Sequence, residues 1–284
     1  MNAKTIDMHV HSNYSDGTFS PGELVDLAFK AGLSAFALTD HDTILGIDEA
    51  IAAGKDRGIE VIPGIEFSTD FEGSDIHMLG YAFDYRDPRF FKELTALQDT
   101  RDTRNRKMIQ KMQAHGIDIS YEKMKAEDPD GVWTRANFAR YLMDHGYVKS
   151  VQEAFLRYIG DDGPCYVARE RMYCADAITL IHRFGGYAVL AHPHQYKFSE
   201  EKLDAFVAML KSHGLDGIEA LYSTHRWTDE SRVKQLARKY SLCITGGSDF
   251  HGSNKPHISL GSGMGNLKIP YGLWQDLREH KAYK

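Results

Sequence analysis

Residues 6–11 read Ile-Asp-Met-His-Val-His, a strict alternation of apolar and polar side chains. Successive side chains of a strand point to opposite faces, so the pattern predicts a strand with Ile6, Met8 and Val10 on one side. Asp7, His9 and His11 then share the other side. Two imidazoles two residues apart on one strand face can both reach a single metal ion. Ligands of this kind need a hydrogen-bonded partner to orient them, a part open to Asp7. One short segment therefore predicts both a strand and a metal-facing surface.

Further β-rich runs follow at 35–40, 60–66, 76–81, 187–192, 217–222 and 242–249. Helix-like stretches at 21–31, 47–57, 175–184, 200–212 and 228–239 lie between most of them. Such alternation predicts an α/β fold with a parallel sheet, and about seven units predict closure into a barrel. Residues 92–160 break the alternation. The stretch 92–115 reads as one long helix, Thr134 caps a helix to His145, and Ser150 caps another through Tyr158. The expectation is a barrel made of residues 1–91 and 161–284, with 92–160 as a helical insertion that covers the substrate.

Composition narrows the function. No run of about 18 apolar residues is present, so no membrane helix is expected. Residues 1–7 lack a charged-then-apolar signal pattern. The three cysteines, without a Cys-x-x-Cys, predict a reduced, cytoplasmic protein. With 34 basic and 40 acidic side chains the net charge is −6, which argues against a general polyanion-binding surface and against duplex DNA as a partner.

Candidate ligands collect where the strands end. Asp16 lies in the turn after the first strand, and Thr39-Asp40-His41-Asp42 closes the second. Glu66 closes the third after Pro63-Gly64-Ile65, and His77 lies in the fourth. His192 closes the fifth in Leu190-Ala191-His192-Pro193-His194. Asp249 and His251 close the last. Active sites of barrels and parallel sheets are built at these C-terminal strand ends. With His9 and His11 there are more donors than one four-coordinate ion can use. A bridging carboxylate would let two or three ions share them. Mixed imidazole and carboxylate donors suit Mn²⁺, Zn²⁺ or Fe²⁺ better than Mg²⁺ or Ca²⁺.

These motifs resemble those of the polymerase-and-histidinol-phosphatase (PHP) family of metal-dependent phosphoesterases. The family's His-x-His strand is matched by His9 and His11, and its Thr-Asp-His-Asp turn by Asp40 and His41. Its Ala-His-Pro histidine is matched by His192, and its Ser-Asp-Phe-His end by Asp249 and His251. Glu66 and His77 stand between the second and third motifs, where the family also uses them. The resemblance implies a distorted seven-unit (β/α) barrel with a trinuclear metal centre. Position by position, it implies one ion on His9, His11, Glu66 and Asp249. A second would share Glu66 with His77 and His192, and a third would take Asp16, His41 and His251.

Phosphate ester hydrolysis needs a nucleophile and neutralisation of developing charge. Adjacent divalent ions supply both, by lowering the pKa of a shared water and by holding phosphoryl oxygens, so no serine or cysteine nucleophile is required. Asp40 and His194 are candidates for protonating the leaving group or handling the water proton, or equally for supporting the metal ligands from behind. A barrel with a helical insertion resembles a nucleotide-directed subgroup of the family. Its activities include removal of the 3′-phosphate from nucleoside 3′,5′-bisphosphates and trimming of short RNA from the 5′ end. Histidinol phosphate is another substrate within the family. Where that subgroup often reads Gly-Arg-Pro-His, this chain reads Thr134-Arg135-Ala136-Asn137. Three residues are expected to contact substrate. Arg135 has a guanidinium suited to a second phosphate, the alternative being a charge on the helix surface. Arg104 shares an arc of the long helix with Lys107 and Lys111, read as a solvated face or a phosphate-facing lip. His225 follows the sixth strand.

Overall fold

β1 (Ile6–Val10), β2 (Ala35–Leu38) and the first part of β3 (Glu60–Phe71) run parallel, joined by α1 (Pro21–Lys30) and α2 (Ile47–Arg57). This computed structural model describes residues 4–129, 131–168 and 171–283. Residues 1–3 and 169–170, 284 and 130, which fall in the expected barrel and insertion, lie outside the described residues. β4 (Ser74–Tyr81) follows β3, and α3 (Pro88–Ala114), α4 (Tyr121–Glu127), α5 (Arg135–Asp144) and α6 (Val151–Ala154) come next. The chain returns through β5 (Met172–Tyr173), α7 (Cys174–Arg183), β6 (Tyr187–Leu190), α8 (Glu200–Ser212) and β7 (Gly217–Tyr222). It ends with α9 (Trp227–Lys239), β8 (Cys243–Gly247) and α10 (Gly272–Arg278).

The strands form one sheet in the order β1-β2-β3-β4-β6-β7-β8, with β5 paired to β3. Past β8 the chain comes back to β1, where Asp249 N donates to His9 O at 2.9 Å and His11 N to Phe250 O at 3.0 Å. The sheet is thereby a nearly closed barrel. Gly247 makes this approach feasible, because a Cβ there would stand 2.2 Å from His9 Cβ.

The helix starts follow local chemistry. In α1, Ser20 and Glu23 form a reciprocal capping box with Pro21 at the first helical position. Thr134 caps α5 as its sequence predicts. The long helix α3 starts before residue 92, because Asp87 accepts from Arg89 N and Pro88 opens the first turn. The 150–158 helix is only partly α-helical, and Phe155–Ile159 continues it as a π turn.

One feature of the barrel departs from strand–helix alternation. β4 is antiparallel to both β3 and β6. No helix separates β3 from β4; they meet in a tight hairpin at Glu72 and Gly73, both with positive φ (51° and 79°). Two successive left-handed residues are the requirement of a type I′ turn, whose twist matches the strands it joins. The hairpin carries Glu66 and His77 on neighbouring strands.

α3 belongs to two apolar clusters. Phe90 and Leu94 pack in the barrel cluster with Phe67, Phe83 and Phe184. Met108, Ile109 and Met112 pack with Trp133, Phe138, Leu142 and Ile159 in a second cluster. The segment after β4 thus has a core of its own. It is tied to the barrel mouth by Val132 N donating to Tyr14 O at 2.9 Å and Asn137 Nδ2 to Ser15 O at 2.9 Å.

Candidate metal centre

Glu66 lies at the middle of the site and is 1% exposed. Its Oε1 is 3.0 Å from His77 Nδ1 and 3.0 Å from His192 Nε2. Its Oε2 is 3.1 Å from both His9 Nε2 and His11 Nε2, and 3.3 Å from His41 Nε2. One carboxylate thus turns each oxygen to a different set of imidazoles, the arrangement a bridging ligand requires. Asp249 Oδ1 is 3.4 Å from His11 Nε2 and 3.7 Å from His9 Nε2. Asp16 is 3.1 Å from His251 Nε2 and 3.7 Å from His41 Nε2.

Among the described residues, four overlapping groups have donor atoms close enough to hold an ion. They are His11, Asp16, His41 and His251; His9, Glu66 and His192; His9, His11 and Asp249; and His41, Glu66 and His77. The structure brings all nine expected ligand residues into these groups. The donor set also fits a cation on its own chemistry. His9 Nε2, His11 Nε2 and His77 Nδ1 are buried without a hydrogen-bond partner, though each faces a carboxylate. A shared cation would satisfy these nitrogens and the carboxylates they face together, as buried charged groups require.

Charge coupling across the site is strong. Burial opposes ionisation of Glu66, yet His9, His41 and His77 hold its carboxyl well below the usual range. Asp249 is also held low against burial, by Lys255, His251 and His9. Burial pushes His41 down to about 3. His11 rises to about 9 against burial, through Asp249 and Glu66.

Surrounding residues fix the rings. Glu219 Oε1 lies 3.0 Å from His9 Nδ1, and its other oxygen accepts from His192 N at 2.8 Å. Asp249 Oδ2 accepts from Tyr222 Oη at 2.5 Å and from Lys255 Nζ at 2.6 Å, which leaves Oδ1 for the cluster. Asp42, His192 and Asp249 all have positive φ, at 50°, 23° and 56°. Strain of about 1–3 kcal/mol per residue persists where surrounding contacts enforce it, and here it sits at the strand ends that aim the site.

Several expected roles change. Asp7 orients no imidazole. It accepts from His9 N, Ser248 N and Oγ, and Gly261 N, and so ties β1 to the last motif. Asp40 is 1% exposed, and Ser12 N, Ser12 Oγ and Ser15 Oγ donate to its oxygens at 2.6–2.7 Å. That engagement makes it a tether for the loop carrying Asp16. His194 is half exposed and pairs with Asp229 at 3.5 Å. His225 is buried beside it, with Nδ1 on Ala220 O at 2.9 Å.

A cavity of about 160 Å³ is lined on one side by Asp16, His41 and His77 of the donor cluster and on the other by Arg101, Arg104, Arg135 and Arg171. Arg104 and Arg101 turn inward, whereas Lys107 and Lys111 of the same helix are exposed. Arg135 donates to Asp161 Oδ1 at 2.6 Å and Asp75 Oδ2 at 3.4 Å. Asn137, at the histidine position of the subgroup's motif, closes the α5 capping box and holds Ser15. Thr134 Oγ1 donates to Asp16 Oδ2 at 3.1 Å, so the insertion touches the centre directly.

The residues not foreseen are Glu219, Lys255, Arg101, Arg171 and Asp75. Glu219 carried a signal, as a lone acid in the otherwise apolar run of β7. The arginines carried none, because their convergence depends on how the insertion packs.

The description "PHP domain" matches residues 7–240. A 5′-3′ exoribonuclease of Haemophilus influenzae is 38% identical over 248 residues, covering 87% of this chain and 90% of that relative. A 3′,5′-nucleoside bisphosphate phosphatase of Chromobacterium violaceum is 31% identical over 273 residues, covering 96% of each. A crystal structure from Bifidobacterium adolescentis, described as a metal-dependent phosphoesterase, superposes with a TM-score of 0.86 at 27% identity. It covers 99% of this chain and 97% of its own. No helix among the described residues is long and apolar enough to cross a membrane. With these likenesses and the nine-residue donor cluster at its barrel mouth, the chain belongs to the PHP family of metal-dependent phosphoesterases and is a hydrolase.

Proposed function

We propose that this chain removes the 3′-phosphate of a nucleoside 3′,5′-bisphosphate, using two or three divalent ions, Mn²⁺, Zn²⁺ or Fe²⁺, held by the nine clustered residues. The observation that carries the reading is the juxtaposition of two features: the Glu66-centred donor cluster and, at its edge, a small cavity lined by four arginines. The similarity to the Chromobacterium violaceum bisphosphate phosphatase supports it. Divalent ions bound here would supply an activated water and neutralise phosphoryl charge.

The chain's own residues do the rest. Glu66 keeps the imidazole groups in register, one carboxylate oxygen for each. Arg135 and Arg104 bind a phosphate remote from the reacting one. Residues 92–160 cover the substrate and exclude water, with Thr134 and Asn137 fixing the cover to the Asp16 loop. His194, half exposed beside Asp229 with His225 packed against it, is the candidate for handling the leaving-group or water proton. Asp40 keeps its tethering part.

A second reading is trimming of short RNA from its 5′ end, favoured by the similarity to the Haemophilus influenzae 5′-3′ exoribonuclease. The same centre serves both, and the substrate differs only in what is esterified. The test is phosphate or nucleotide release from a panel holding adenosine 3′,5′-bisphosphate, a short 5′-phosphorylated RNA and histidinol phosphate, with Mn²⁺ added. The bisphosphate is expected to give the highest kcat/KM. A clear preference for RNA or histidinol phosphate would overturn the first reading. Arg135→Ala is expected to cost about 10- to 150-fold on a two-phosphate substrate, the worth of a charge-assisted hydrogen bond.

A further inference from the structure

Asp75 lines the arginine cavity beside His77 of the donor cluster. Arg135 and Arg171 both donate to its Oδ2, at 3.4 and 3.1 Å. Its Oδ1 lies 3.6 Å from His77 Nε2, beyond hydrogen-bond range, and has no hydrogen-bond partner. The other nitrogen of the same ring, His77 Nδ1, is 3.0 Å from Glu66 Oε1. Arg101 is 4% exposed and bonds Asp42 and Ser68 through one terminal nitrogen, while its buried Nε has no acceptor.

Among the described residues, Arg135 and Arg171 thus converge on one carboxylate oxygen at the cavity wall. One oxygen serves two guanidiniums, although each fork is shaped for a bidentate acceptor. A phosphate dianion brings three acceptor oxygens and two charges. The volume, about 160 Å³, is well below the ~300–1,000 Å³ of pockets that enclose a whole drug-sized ligand. It is of a size to seat a terminal phosphate, with the nucleoside lying toward the open side.

We propose that this cavity seats the unreactive phosphate of the substrate, and that Asp75 transmits its arrival to His77; this rests on the nucleotide-bisphosphate reading above. The entering phosphate takes the donors of Arg135 and Arg171 from Asp75. Asp75 Oδ1 then closes the gap to His77 and accepts a hydrogen bond from Nε2–H. That bond fixes the tautomer whose lone pair lies on Nδ1, toward Glu66. Asp75 is a positioning residue, and energy from the remote phosphate appears in kcat as well as KM.

The experiment compares adenosine 3′,5′-bisphosphate with adenosine 3′-monophosphate for the metal-loaded wild type, Arg171→Gln, Arg171→Lys and Asp75→Asn. A second readout is the rise in Tm that inorganic phosphate gives each protein. Arg171→Gln is expected to lose about tenfold more kcat/KM on the bisphosphate than on the monophosphate, with Arg171→Lys between. Its phosphate-induced Tm rise should shrink. Asp75→Asn should abolish the kcat advantage of the bisphosphate without raising its KM. A merely structural Asp75 would slow both substrates by the same factor, and that result overturns the coupling. Turnover of the bisphosphate with both readouts indifferent to Arg171 overturns the cavity assignment and leaves the function standing. No turnover of either nucleotide, with a Tm rise that still depends on Arg171, overturns the nucleotide reading and keeps the anion site.

Discussion

Glu219 Oε1 sits 3.0 Å from His9 Nδ1, so the ring nitrogen turned to Glu66 and Asp249 is Nε2. Both partners are fully buried. A carboxylate that accepts from one imidazole nitrogen leaves the lone pair on the other and raises its donor strength. Glu219→Gln is expected to lower metal affinity by about 10- to 100-fold while leaving the fold intact. Chelator competition measures it, and an affinity equal to wild type would remove Glu219 from that part.

Metal uptake should release protons. His11 is held up to about 9 and His77 up to about 10 in the metal-free protein. Burial opposes both shifts, but Asp249 and Glu66 overcome it at His11, and Glu66 and Asp75 at His77. Both folded values lie above the unfolded one, so the two rings stabilise the metal-free protein fully below about pH 6.5. That stabilisation is lost as pH rises through about 9 and 10. A ligand nitrogen must be unprotonated, so proton release on metal addition shrinks over the same window. Calorimetry in buffers of different ionisation enthalpy reads it. Release that does not vary with pH would contradict the coupling.

Thr134 joins the insertion to the centre through its 3.1 Å bond to Asp16 and caps α5 at the same time. Thr134→Val should cost about 1 kcal/mol of stability from the lost cap and lower metal stoichiometry at the Asp16 group. Thr134→Ser should restore both. A drop in Tm with full metal content would confine Thr134 to capping.

Closure of the barrel depends on a missing side chain. A Cβ at Gly247 would lie 2.2 Å from His9 Cβ and 2.6 Å from His9 N, and backbone of a closed sheet cannot yield as a flexible side chain can. Gly247→Ala is expected to cost upward of about 1–3 kcal/mol and to reduce metal binding through His9. Gly272→Ala, with open space around the added atom, serves as the control. Equal denaturation midpoints for the two variants would count against this view of closure.

Much of this was legible in the chain because the ligands are tied to strand ends, and strand ends are marked by local pattern. Ile6–Val10 alternates, Thr39-Asp40-His41-Asp42 and Ser248-Asp249-Phe250-His251 follow apolar runs, and all reach the same mouth. The antiparallel turn of β4 was not legible as a departure, since one strand reads alike in either direction. Its signal was the missing helix between Phe71 and Ser74. The partners of Asp7 and Asp40 are not legible, because an acid near imidazoles in sequence can face elsewhere in space: one holds Ser248, the other Ser12 and Ser15. Arg101 and Arg171 are 70 residues apart and meet only once the insertion has packed.

Metal analysis and phosphate release on one preparation each of wild type and Glu66→Gln, purified without chelator, test Glu66 as the bridge of a shared metal centre that hydrolyses phosphate esters. The wild type is expected to hold about two or more equivalents of divalent metal and to turn over. Glu66→Gln is expected to lose metal and most turnover, with secondary structure retained. Near-native turnover and full metal content in Glu66→Gln, or a fully active wild type with one ion or none, would contradict that assignment.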